Sequence, residues 1–187
     1  MKRTVLTFGL ISGAIISAMM LLTIPFIDRI GFDRSTVIGY TSMVLAFLLI
    51  YFGVRSYRDN VAGGSIRFGQ AFKVGALIGV VSSLCYVATW EVIFFRITPD
   101  FTEKYQAYTL ERARADGETD AQLAERRADL EEFAEWYQNL VLNAAVTFLE
   151  PLPVALIMTL LTAGVLSRRT KGGVATDGMV SDSRSPT

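Results

Sequence analysis

Two glutamates stand in stretches of the chain that otherwise carry no charge. Glu91 follows Trp90 near the end of one apolar run, and Glu150 directly precedes Pro151-Leu152-Pro153 inside another. A carboxylate in an apolar helix is costly and marks a candidate site by default. Pro151 and Pro153 lack an N–H, which frees the carbonyls of Thr147 and Leu149 from the helical ladder. Asn139, Asn143, Thr147 and Glu150 follow at intervals of four, four and three, one polar stripe on a helix face. A broken helix, freed carbonyls and a carboxylate are the parts from which membrane proteins build small cation or proton sites. The candidate ion or proton site is therefore Glu91, Glu150, Asn143 and Thr147. The competing reading, which the sequence favours, is structural. Glu91 is five residues from Arg96 and can reach the headgroups, and Glu150 can serve as hydrogen-bonded packing.

These residues need elements to position them, and four apolar blocks supply them. The charge-free runs are about 5–27, 35–54, 74–95 (with Glu91) and 139–167 (with Glu150). Twenty-three helical residues rise roughly 34 Å, enough for a hydrocarbon core of about 30 Å. The first block is too long for a signal-peptide core of about 7–15 residues, so a retained span is expected. Gly9, Gly13 and Ser17 recur every fourth residue, and Gly75 and Gly79 form a GxxxG extended by Ala71 and Ser83. Both patterns predict helix-packing seams.

The connections differ in kind. Residues 28–34 read as a short polar turn. Between spans two and three, Arg55, Arg58, Arg67 and Lys73 face Asp59 alone, Gly63-Gly64 breaks the chain and Ser65 is a candidate N-cap. Ile66, Phe68 and Phe72 then read as a short lead-in on the membrane surface. Residues of about 98–138 hold eleven acidic side chains, which outnumber the lysines and arginines there. They predict a solvated helical hairpin. Its first helix starts at Thr98-Pro99 and ends near Ala115 before Asp116-Gly117. Thr119 with Gln122 forms a capping box, and no breaker follows. One continuous helix is therefore expected from Thr119 into the membrane, bent at Pro151. The tail, 172–187, is rich in Gly, Ser, Asp and Thr and is expected to be disordered and cytoplasmic.

Orientation follows from cations beside the spans. Lys2 and Arg3, the 55–73 connection, and Arg168, Arg169 and Lys171 fall on one side of a four-span chain. That side is the cytoplasm, and the acidic hairpin lies outside. Glu91 is eighteen residues from Lys73 and Glu150 eighteen from Arg168, so each sits roughly 27 Å above the inner boundary. At similar depth they form a candidate pair: if they share a site, one proton or cation is held between them.

Composition removes other chemistry. The chain has 187 residues, half of them hydrophobic (51%), and a mean hydropathy of +0.38. It has no histidine and one cysteine, Cys85. A zinc enzyme or an intramolecular disulfide is excluded on those grounds. Lysine plus arginine equals aspartate plus glutamate at 18 each, so nothing draws nucleic acid. No phosphate loop or nucleophile elbow is present. No metal, cofactor or enzymatic activity is expected.

The stretch Tyr51-Phe52-Gly53-Val54-Arg55-Ser56-Tyr57-Arg58-Asp59, then Gly63-Gly64 and Phe68-Gly69-Gln70-Ala71-Phe72-Lys73-Val74-Gly75, resembles the bacterial membrane family catalogued as domain of unknown function 4199. Tyr86 to Glu91 and Glu150-Pro-Leu-Pro are similar to its later segments, and the resemblance spans roughly 5–168. It implies a bacterial inner-membrane location and supplies no reaction. The expectation is an all-α integral membrane protein of four spans, with the bilayer around it and a homo-oligomer or membrane-protein partner. It works by interaction rather than by catalysis. The alternative is a small oligomeric ion- or proton-coupled transporter or channel component with Glu91 and Glu150 at its site.

Overall fold

The computed structural model describes residues 1–167, and within them the chain forms six helices and no strand. Four are long and apolar enough to cross a membrane: α1 (Lys2–Ile30), α2 (Phe32–Asn60), α3 (Phe68–Ile97) and α6 (Leu140–Leu166). Two polar helices, α4 (Phe101–Ala115) and α5 (Asp120–Tyr137), lie between the third and fourth. The tail at 172–187 and the cations Arg168, Arg169 and Lys171 lie outside the described residues.

The bundle is built around α3, which packs on α1, α2 and α6. Small residues let the backbones approach. A Cβ at Gly9 would come within 2.7 Å of Val81, and one at Gly13 within 2.6 Å of Cys85. On the other side of α3, a Cβ at Gly75 would meet Thr159 at 3.0 Å and one at Gly79 would meet Ala155 at 3.1 Å. The two sequence seams thus lie at two different interfaces, α1–α3 and α3–α6. A hydroxyl fastens the first one, Ser82 Oγ donating to the Gly9 carbonyl at 3.1 Å, and Ser12 Oγ ties α1 to α2 by donating to the Ala46 carbonyl at 3.0 Å. The interior is apolar, with Phe47, Ile50, Val54, Val74 and Ile78 wholly shielded. So is much of the exterior, where Leu22, Val37, Leu45 and Leu161 stand open. Helices that are apolar on both faces match a lipid surround rather than water.

Several expectations are corrected. Residues 28–34 are not a turn: α1 runs to Ile30, α2 starts at Phe32, and Gly31 alone reverses the chain with φ +85°. Only glycine adopts that conformation without strain. Ile66, Phe68 and Phe72 are not a separate surface lead-in. Ile66 is buried in the core, and α3 starts at Phe68 and continues unbroken past Phe72. The cap of α3 is Arg67, not Ser65. Helix α4 starts at Phe101, because a π-turn over Ile93–Ile97 carries α3 to the edge of Thr98.

The largest correction concerns the entry to the fourth span. The capping box at Thr119 and Gln122 is present, but α5 ends at Tyr137 and does not continue into α6. Asn139 stands in extended conformation, and its Oδ1 accepts from the N–H groups of Val141 and Leu142 at 3.0 and 3.2 Å. The short amide side chain competes for the backbone and starts a new helix. The helix is interrupted again at Glu150-Pro151, as expected from the prolines.

Candidate functional site

Asn143 is completely buried and is the hub of a closed polar network. Its Oδ1 accepts from Trp90 Nε1–H at 3.0 Å and from Thr147 Oγ1 at 3.2 Å. Its Nδ2 donates to the Tyr137 carbonyl at 3.1 Å, and the Tyr137 hydroxyl lies 3.2 Å from Thr147 Oγ1. The network ties α3, the end of α5 and the start of α6 across the chain break at 138–139. Helical spacing brings Asn143 and Thr147 together, one turn apart. A buried amide whose oxygen accepts twice and whose nitrogen donates once fixes geometry, and the filled oxygen leaves little capacity to ligate an ion. Two aromatic members, Trp90 and Tyr137, were not singled out by the sequence.

Glu150 sits apart from that network. Tyr86 Oη–H donates to Glu150 Oε2 at 2.7 Å, joining α3 to α6 at the break before Pro151. Tyr86 lies one helical turn before Trp90, so a single face of α3 holds the partners of both Glu150 and Asn143. Glu91 lies beside that face. Both its carboxylate oxygens are shielded and have no hydrogen-bond partner among the described residues. Glu91 and Glu150 therefore share no hydrogen bond; the contact that fixes Glu150 comes from a tyrosine. Both carboxylates still reach Tyr137 electrostatically. Its hydroxyl is held above the ordinary tyrosine range, chiefly by burial, opposed by hydrogen bonds from Thr147 and Trp90 and reinforced by Glu150 and Glu91.

Above the break, α6 packs on α3 and parts from α2, whereas below it α6 packs on both. The gap is a cavity of about 380 Å³. Glu150, Tyr86 and Trp90 line one side, and Met19, Met20 and Met43 line the other. Phe101, Tyr105, Phe133 and Tyr137 from the polar helices line its end. Among the described residues Glu150 is the one charged residue lining it, and Glu91 does not line it. Ser35 Oγ and Thr102 Oγ1, both of lining residues, are shielded and have no partner.

The end of the cavity is clamped. Phe32 stacks on Tyr108 with centroids 4.8 Å apart. Lys104 Nζ donates to Asp28 Oδ2 at 2.7 Å, and Tyr108 Oη–H and Arg112 Nη1 reach Asp33 Oδ1 at 2.6 and 2.8 Å. Lys104 is held above the usual lysine range by its hydrogen bonds to Asp28 and Asp100. The Asp100 carboxyl is held below its usual range by the Lys104 hydrogen bond. Helix α4 is thus fastened to the α1–α2 turn, while α5 buries none of its residues. Among the described residues no cluster of His, Cys, Asp or Glu is arranged to hold a metal.

Comparison with known proteins gives one match. The family model described as "Protein of unknown function (DUF4199)" matches residues 7–168. No curated protein and no solved structure matches the chain.

Proposed function

Since the chain belongs to the DUF4199 family of proteins of unknown function, a membership that brings no reaction with it, we propose its function from the site and the surface. The protein is a multi-pass component of a bacterial inner membrane with both termini in the cytoplasm. It acts without catalysis, by contact with a membrane-protein partner or a second copy. The observation that carries this reading is α5, an 18-residue helix with no buried residue. It displays Asp120, Glu125, Asp129, Glu131, Glu132 and Glu135 against two arginines, Arg126 and Arg127. A helix with no buried residue, and so acidic, offers a surface complementary to a basic partner. Trp136 stands one turn before the fourth span, the level at which aromatic residues meet headgroups. The basic flanks Lys2, Arg3, Arg55, Arg58, Arg67 and Lys73 support the orientation.

Cross-linking in native membranes followed by pull-down tests the contact. The combined change Glu131→Lys, Glu132→Lys and Glu135→Lys is expected to remove the cross-linked species while the protein stays folded. The same cross-linked species at undiminished yield would contradict the assignment of α5.

A second reading, an ion- or proton-coupled component in an oligomer, is favoured by one observation. The Glu91 carboxylate is shielded with no partner for either oxygen, an arrangement that leaves an ionised form uncompensated. A bound cation or a proton would compensate it. Flux into proteoliposomes, abolished by Glu91→Gln, is its test, and flux unaffected by that change would exclude it.

A further inference from the structure

The cavity between α2 and the upper half of α6 has features that helix packing does not explain. Its volume, about 380 Å³, lies at the low end of small-molecule pockets, roughly 300–1,000 Å³. That is room for one alkyl chain or one compact body, and not for a two-chain lipid. Three of the six methionines of the chain, Met19, Met20 and Met43, line it. Methionine is the side chain that adapts to apolar ligands of varied shape. An amphiphile that enters the cavity needs a partner for its polar group on the lining.

Charge selects that group. Among the described residues Glu150 is the one charged residue on the lining, and its Oε2 is occupied by the Tyr86 hydroxyl. Oε1 makes no hydrogen bond among the described residues, and the Glu150 side chain is exposed where α6 leaves α2. Tyr86 and Trp90 on the same side, and Tyr40 on α2 across the gap, add aromatic rings to the lining. A carboxylate among aromatic rings recognises an organic cation, by ion pairing and by cation–π attraction. The exposed lining residues are Thr36, Gly39 and Tyr40 on α2, Tyr105 on α4, Phe133 on α5 and Glu150 on α6, so the cavity opens both between α2 and α6 and toward the polar helices.

We propose that this cavity binds a single-chain amphiphile with a cationic amine head, the alkyl chain among the methionines and the ammonium against Glu150. The shared chemistry is a protonated amine on an apolar chain, from the bilayer or free. The purified full-length chain is titrated with dodecylamine, dodecanol and dodecanoate, following thermal stability and, in a Trp136→Phe background, Trp90 fluorescence. Dodecylamine is expected to bind at least tenfold more tightly than dodecanol, and dodecanoate more weakly than both. Glu150→Gln is expected to erase the preference for the amine while keeping affinity for the alcohol. Met43→Trp, which fills the cavity, is expected to weaken all three and serves should Glu150→Gln fail to fold. Native mass spectrometry of the protein extracted from membranes separates the sources. A single-chain amine-headed lipid displaced by dodecylamine places the ligand in the bilayer, and an empty protein that takes up added amine places it free. Equal affinity for amine and alcohol in the wild-type chain would overturn the proposal. So would an amine preference that survives Glu150→Gln, or a retained two-chain lipid that dodecylamine does not displace.

Discussion

Asn143→Leu removes the hub of the network while nearly keeping its volume. Three hydrogen bonds are lost: to the Trp90 indole, to the Thr147 hydroxyl and to the Tyr137 carbonyl. Side-chain hydrogen bonds between membrane helices average about 0.6 kcal/mol, with a maximum near 1.7. Three of them give about 2 kcal/mol. The partners left behind raise this figure, because a buried donor without an acceptor costs about 1–3 kcal/mol. The expected destabilisation is therefore about 2–4 kcal/mol, read from reversible unfolding in mixed micelles by circular dichroism. The double change with Trp90→Phe separates the two contributions. With the indole N–H gone, Asn143→Leu strands one donor fewer, so the two effects should be sub-additive by about 1 kcal/mol. A cost below about 0.5 kcal/mol, or strict additivity, would refute the argument that Asn143 holds α3 to the break at 138–139.

Further outcomes follow from the same geometry. Gly13→Leu drives a side chain into Cys85, where even a Cβ would stand at 2.6 Å. It should cost about 1–3 kcal/mol in the same unfolding assay, whereas Gly39→Ala, with no atom within 4 Å, should be close to silent. Asn139→Ala removes the cap of α6 and should cost about 1 kcal/mol. The clamp on α4 should depend on pH through two groups. The depressed Asp100 carboxyl stabilises above its unfolded pKa, and that contribution is lost as pH falls through its lower folded value. The raised Lys104 amine stabilises below its unfolded pKa, and that contribution is lost as pH rises through its higher folded value. Hydrogen exchange corrected for intrinsic rates should show α4 best protected between about pH 4 and pH 10. Flat protection across both limits would remove the clamp from the account.

Much of this fold is written locally, and so could be read from the sequence. Charge-free blocks of twenty residues and more report a solvent preference, and all four became helices of the bundle. The Thr119–Gln122 box is a contact over three residues and formed as written. What was not legible depends on partners far along the chain. Asn139 could be read as part of a polar stripe, but its choice between continuing a helix and capping a new one depends on tertiary packing. Tyr86 meets Glu150 across 64 residues, and nothing in the spacing of either announces the other. Equal spacing from the inner cations sets Glu91 and Glu150 at one level but does not fix their rotation about their helices. Rotation put Glu150 on the cavity and left Glu91 off it. The end of α1 misled because Asp28 and Arg29 look like turn residues. One glycine with positive φ was enough to reverse the chain, so both helices continue through the charged residues.

Topology in the membrane tests the central claim most directly. In a Cys85→Ala background, single cysteines are introduced as Asp116→Cys, between α4 and α5, and as Ser65→Cys, between α2 and α3. Both positions are exposed. Cells whose inner membrane is intact are treated with a maleimide that cannot cross it. The account predicts that Asp116→Cys is labelled at once, and Ser65→Cys only after the membrane is permeabilised. Labelling of Ser65→Cys in intact cells with Asp116→Cys protected would contradict it.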